Sequence, residues 1–197
     1  RYLVLYALLM SAGFYTHYFT ALCVLVHWAY LGVVSARQAS GERLLMRPAW
    51  WAANAAIVLV YLPWLPNLLD LVQHVDQLKV GGDIGWEEPV DMLSLPSMIW
   101  QFLLQDEGLE LWRPLFWAFP LVLAAVVVVT GWLDREPGRP AVLLGLFFLL
   151  PVLLVYGVSF ISPVFIERYL TVYALGLPIV VAMAIDRLPS RLSLLGA

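Results

Sequence analysis

Two short clusters carry side chains suited to chemistry, and they stand far apart in the chain. The first is Tyr15-Thr16-His17-Tyr18-Phe19. A histidine changes charge near neutral pH, so His17 could bind an anionic group or serve as an acid or base. The plainer alternative is an interfacial histidine in an aromatic belt, satisfied by water. The second cluster is Glu167-Arg168-Tyr169. Arginine offers a fixed fork of donors that matches phosphate, and at a bilayer surface Arg168 would sit level with a lipid head group. The alternative here is an arginine that snorkels to water or pairs with Glu167 or a loop carboxylate.

Other charged groups carry less. Glu87-Glu88, Asp91 and Asp106-Glu107 supply the oxygen ligands that a hard cation takes, but a solvated acidic loop explains the same run of charge. His27 and His74 have no second ligand at a metal-binding spacing. Nor is there a Gly-rich phosphate loop, a nucleophile elbow or a zinc pattern. No metal site or cofactor is therefore assigned.

The elements that must position these residues are set by composition. The 197 residues are 62% hydrophobic and 13% charged, with a mean hydropathy of +0.85. A soluble domain carries roughly a quarter charged residues, so this chain lacks the polar surface needed to face water. Its apolar surface must face lipid. A formal charge of -3 gives no basic footprint, which argues against nucleic acid as a partner. The lone Cys23 cannot form an intramolecular disulfide.

A bilayer core of about 30 Å takes about 20 apolar helical residues. The apolar stretch from Tyr2 to Ser35 is too long for one span and is interrupted by Gly13 and the Tyr15 to Tyr18 group, so it folds best as a hairpin of two short helices. Further spans are expected over Trp50 to Leu69, Trp112 to Leu133, Ala141 to Phe160 and Tyr169 to Ile185. Pro120, Pro151 and Pro178 fall inside the last three, where each removes a backbone bond and favours a kink. The expected fold is an all-α polytopic transmembrane helix bundle of about six spans. The chain, residues 1–197, is a single transmembrane domain with one longer extracytoplasmic loop, Asp70 to Leu111. Within that loop Pro96 to Leu104 is expected to lie as an amphipathic helix on the membrane surface, with Trp100 and Phe102 at the interface.

Cationic residues in short loops are retained on the cytoplasmic side. Arg37, Arg43, Arg47, Arg135, Arg139, Arg187 and Arg191 fall on one side, joined by Arg1, against Lys79, Arg113 and Arg168 on the other. Both ends are thus expected in the cytoplasm. The Tyr15 to Tyr18 turn, the long acidic loop and the Ile161 to Arg168 loop share the outer face. Arg1 leads directly into an apolar run with no initiator Met, and the chain is expected to be the carboxy-terminal part of a longer protein.

Three stretches carry a family likeness: Tyr2 to Met10 leading into Tyr15 to Phe19, the Tyr61-Leu62-Pro63-Trp64-Leu65-Pro66 end of the third span, and Glu167-Arg168-Tyr169-Leu170. Together they resemble the later half of multispan glycosyltransferases of the GT-C class, in particular bacterial proteins similar to protein O-mannosyltransferases and lipid A aminoarabinose transferases. The resemblance implies an enzyme that takes a sugar from a polyprenyl-phosphate carrier and transfers it, outside the cytoplasm, to a lipid, glycan or protein acceptor. It implies catalytic acidic residues upstream of Arg1. Arg168 would stabilise charge on the departing phosphate, with His17, Tyr18, Tyr15, Tyr169 and Glu167 as further candidates to line the site. Membrane lipids would surround it in a prokaryotic plasma membrane. The rival is a multispan transporter or lipid flippase, which tends to place charges or broken helices at the bilayer midplane. A non-catalytic membrane scaffold is the third possibility.

Overall fold

The structure, a computed structural model, describes residues 1–36, 43–70, 73, 90–161, 165 and 167–187, and of Glu167 and Arg168 the backbone only. All regular structure among these residues is helical. Four helices are long and apolar enough to cross a membrane: Pro48–Asp70, Arg113–Leu133, Pro140–Ser159 and Tyr169–Asp186. The chain is an all-α integral membrane protein. The other two expected spans are α1 (Tyr2–Thr16) and α2 (Thr20–Ser35), of 15 and 16 residues. At about 1.5 Å per residue each reaches some 22–24 Å, short of a hydrocarbon core of about 30 Å. By length, then, four spans are found among the described residues, against about six expected. The cause is the early stop of α1 at the His17 turn.

The chain divides into two compact units, Arg1–Glu88 and Pro89–Ala197. In the first, α1 and α2 form an antiparallel hairpin, with Tyr6 meeting His27 edge-on at 5.5 Å. The third helix, α3 (Pro48–Tyr61), continues through a tight turn at Leu62–Trp64 into the remainder of its span. It runs parallel to α1, since Tyr6 stacks on Trp50 and Phe14 packs on Tyr61. Pro48 opens α3 at a position where its missing N–H costs nothing. Pro63 withholds a helical donor farther along, which suits the local tightening there.

The second unit contains α4 (Ser94–Leu104), α5 (Arg113–Leu133), α6 (Pro140–Ser159), α7 (Glu167–Ala174) and α8 (Gly176–Asp186). Phe116, Pro120, Val127 and Gly131 form the buried stripe of α5 at helical spacing, while Leu121, Val122 and Val128 on its other side are exposed. The stripe on α6 runs through Ala141, Gly145, Phe148, Val152 and Val155. Apolar burial drives little association in lipid, so close backbone approach matters more. Gly176 supplies it: a Cβ there would lie 2.6 Å from the Leu144 carbonyl oxygen.

Two prolines shape this unit. Pro178 cannot donate to the Ala174 carbonyl, and the helix breaks between α7 and α8 at Leu175. Tyr173 packs on Phe147, and Gly176 lies against Leu144 and Phe148, so the break sits beside the middle of α6. Pro120 likewise cannot donate to the Phe116 carbonyl, which accepts the Trp100 indole N–H at 3.1 Å instead. The Trp100 ring stacks on Phe119 at 4.8 Å and is buried. A helix spans the expected Pro96 to Leu104 segment as α4, with Pro96 to Trp100 buried, so Trp100 faces protein. The carbonyl freed by Pro120 gives its polar atom a partner inside.

Candidate functional site

His17 and Tyr18 meet at the turn of the α1–α2 hairpin, one turn of chain from Tyr15. His17 terminates α1 in extended geometry, its backbone N–H donating to the Gly13 carbonyl at 2.8 Å. Its Nδ1 accepts the Phe19 backbone N–H at 3.2 Å, and its ring packs on Tyr18 and Phe19 at 4.9 and 5.2 Å. A neutral imidazole with an accepting Nδ1 carries its proton on Nε2. The His17 Nδ1 is thereby committed to the turn. Tyr15 leans the other way: its hydroxyl donates to the Val60 carbonyl at 2.7 Å, and its ring sits between Tyr61 and Trp64. Tyr15 thus fastens α1 to the proline-disturbed end of α3, and Tyr18 stays exposed at the tip.

Glu167, Arg168 and Tyr169 form the first turn of α7 in the other unit. Tyr169 is half-buried, and the side chains of Glu167 and Arg168 lie outside the described residues. One turn farther along, Thr171 enters the lining of a cavity of about 530 Å³ within this unit, between α4 and the α7–α8 break. Gln101, Phe102, Leu103 and Gln105 form one wall. Thr171, Ala174, Leu175, Leu177 and Pro178 form the other. Such a volume lies within the range of about 300–1,000 Å³ typical of small-molecule sites. Gln101 and Gln105 escaped the sequence reading because nothing in PSMIWQFLLQ marks them. The available signal was Pro178, a helix breaker two turns from Thr171.

Among the acidic loop residues, Asp91 caps the start of α4. One carboxylate oxygen accepts the N–H groups of Leu93 and Ser94 and the Ser94 hydroxyl at 2.8–3.0 Å. The Ser94 hydroxyl, helped by these backbone donors, holds the Asp91 carboxyl below its ordinary range. The Asp91 carbonyl in turn accepts the Tyr156 hydroxyl at 2.8 Å. Asp91 is thus committed to the helix start. Asp106 binds the Gly108 N–H at 2.7 Å, and Glu87 and Glu88 lie outside the described residues.

Sequence reasoning also passed over a polar knot at the α5–α6 turn. Asp134 is wholly buried. Its two oxygens accept the Ala141 N–H at 2.8 Å, the Glu136 N–H at 3.2 Å and the Arg187 guanidinium at 3.0 Å. Arg139 donates to the Asp134 and Gly131 carbonyls at 2.9 and 2.7 Å, and Arg187 to Thr130 at 3.1 Å. The last carbonyls of α5 are thereby capped by cations, which also favours the helix dipole. Arg139 and Arg187 had counted only toward orientation. A second hidden group lies in the first unit, where Tyr6 Oη, His27 Nδ1 and Trp50 Nε1 are buried without a hydrogen-bond partner.

No family model, curated protein or solved structure matches the chain.

Proposed function

We propose that this chain belongs to a membrane glycosyltransferase that moves a sugar from a polyprenyl-phosphate carrier to an acceptor outside the cytoplasm. The observation that carries it is that α7, opening with Glu167-Arg168-Tyr169, leads directly into the cavity lined by Gln101, Gln105 and Thr171. An arginine at the membrane surface followed by a mixed polar and apolar cavity suits a lipid-linked phosphate. In the transfer, the acceptor oxygen bonds to the anomeric carbon and the bond from that carbon to the phosphate oxygen breaks. Polyprenyl phosphate leaves, and the hydroxyl proton passes to the carboxylate base implied by the resemblance. Arg168 stabilises the charge growing on the departing phosphate, a contribution often among the largest in group transfer. His17 is a candidate from the resemblance alone. Arg139 and Arg187 would mark the cytoplasmic side, by the retention of cations there, and the host membrane would be the plasma membrane of a prokaryote.

The test is transfer of labelled sugar from polyprenyl-phosphate donors by the intact protein in vesicles. Arg168→Ala should lower the rate at least tenfold, since a lost charge-stabilising donor costs on the order of 3 kcal/mol. His17→Ala should cost less. Near-normal turnover of Arg168→Ala would sink the phosphate role.

The α7–α8 break beside a cavity supports a second reading, a transporter or lipid flippase, because broken helices at mid-span often line substrate sites. Movement of labelled lipid between leaflets without any covalent transfer would favour it.

A further inference from the structure

Helix α4 is too short to cross the bilayer and is held below its surface. Its 11 residues reach about 16 Å, half of a hydrocarbon core of about 30 Å. Its depth is read from α5, whose 21 residues rise about 31 Å and match that core end to end. Trp112 and Trp132, 75% and 73% exposed, stand at the two ends of α5, where interfacial belts place tryptophan. Phe116 and Phe119 follow Arg113 by three and six residues, about 5 and 9 Å inside that boundary. Trp100 of α4 donates to the Phe116 carbonyl and stacks on the Phe119 ring, which brings this part of α4 to their depth.

Both ends of α4 open on one bilayer face. Its start is tied to the late part of α6, since the Asp91 carbonyl accepts the Tyr156 hydroxyl three residues before that helix ends. Its end returns over Trp100, where a Cβ on Gly108 would lie 2.8 Å from the indole ring, and leads into α5 at Trp112. Gly131 meets Ala141 and Val142, and Gly145 meets Val127, so α5 and α6 are antiparallel. The start of α5 and the end of α6 therefore share a face.

Backbone at membrane depth must satisfy its polar groups internally. The Asp91 carboxylate accepts the Leu93 and Ser94 N–H groups at the start of α4. At the other end Gln105, left-handed at φ 60°, donates its N–H to the Gln101 carbonyl. Pro96 to Trp100 are buried, whereas Leu103 and Leu104 are 43% and 58% exposed. Through exposed Leu109, Trp112 and Leu115 this edge continues into the lipid-facing side of α5 at Leu121 and Val122. That continuity makes acyl chain its occupant.

We infer that α4 is a re-entrant helix: it dips about 5–9 Å into the leaflet marked by Trp112, meets acyl chains along Leu103 and Leu104, and returns to the same face. It does so whether or not the protein transfers a sugar.

The test uses the intact protein in nanodiscs, with Cys23→Ala and one nitroxide at a time. The label sits at Leu104→Cys, at Leu121→Cys as the lipid reference or at Glu107→Cys as the water reference. Relaxation of the Leu104→Cys label by dissolved oxygen relative to a water-soluble nickel chelate should match the ratio at Leu121→Cys. A ratio equal to that at Glu107→Cys puts the helix in water, and shielding from both reagents puts it under a second copy or another protein; either overturns the inference. In sealed vesicles, Met92→Cys and Glu107→Cys should both react with an impermeant thiol reagent added to the same side. Reaction from opposite sides would make α4 a crossing and overturn it as well. All four labelled positions are exposed, so these substitutions leave the packing intact.

Discussion

Asp134→Ala is the most exposed of the structural claims to refutation, because each bond it removes has a separate cost. Ala141 is fully buried, so losing its carboxylate partner leaves a buried N–H unpaired, at about 1–3 kcal/mol. The bond to the Glu136 N–H contributes about 0.5–1 kcal/mol more. Arg187 keeps Thr130 and, at 3.5 Å, Glu136, and its side chain is 29% exposed, so water and these partners limit its loss to about 1 kcal/mol. The total is about 2.5–5 kcal/mol, or roughly a hundredfold to a few thousandfold in the unfolding equilibrium. Asp134→Asn retains an acceptor for the Ala141 N–H and should cost only about 1 kcal/mol. The assay is denaturant unfolding in mixed micelles, followed by tryptophan fluorescence, with exposed Arg135→Ala as a control expected within about 0.5 kcal/mol of wild type. If Asp134→Ala cost less than about 1 kcal/mol, or Asn as much as Ala, the knot would not be the clasp described. A double-mutant cycle with Arg187→Ala would isolate the ion pair, expected at about 1 kcal/mol.

Trp100→Phe should destabilise by about 1–2 kcal/mol in the same assay, because it leaves the Phe116 carbonyl opposite Pro120 unpaired, while the aromatic stack on Phe119 persists. Tyr6→Phe should cost nothing or stabilise slightly, since the hydroxyl it removes is buried without a partner; a loss above about 1 kcal/mol would mean that the hydroxyl is satisfied. Gly176→Val should weaken α6–α8 packing by at least about 2 kcal/mol through collision with the Leu144 carbonyl, read as a lower unfolding midpoint. The folded-state pKa of Asp91 is depressed, first by the Ser94 hydroxyl, so its contribution to the start of α4 is complete above the ordinary carboxylate value near about 4. That contribution is lost as pH falls through the depressed value. Protection of the Leu93 and Ser94 amides, taken as exchange relative to each amide's intrinsic rate, should therefore be unchanged between about pH 5 and 7 and fall only in stronger acid.

The helices were legible because the bilayer imposes a length and a composition that a single sequence displays openly. The long spans at Trp112 to Leu133 and Ala141 to Phe160 appear within a residue of their expected bounds, and the hairpin turn at His17 falls where Gly13 and the polar tyrosines interrupt the apolar run. The partners of polar groups were not legible. Asp134, Arg139 and Arg187 read as loop charges in sequence, yet they bond across distances of 5 to 57 residues, and no local pattern reports such pairings. Trp100 misled for a related reason: tryptophan near a membrane surface favours the interface unless its N–H finds an inner partner. That partner is a carbonyl released by a proline 20 residues away, at Pro120. The same logic points to Gln101 and Gln105. A proline in a membrane helix withdraws a donor from the carbonyl four residues before it, and something must answer that carbonyl. At Pro120 the answer is Trp100, and the site is closed. Pro178 withdraws the same donor from the Ala174 carbonyl, and Ala174 and Pro178 line a cavity with Gln101 and Gln105 on the facing wall.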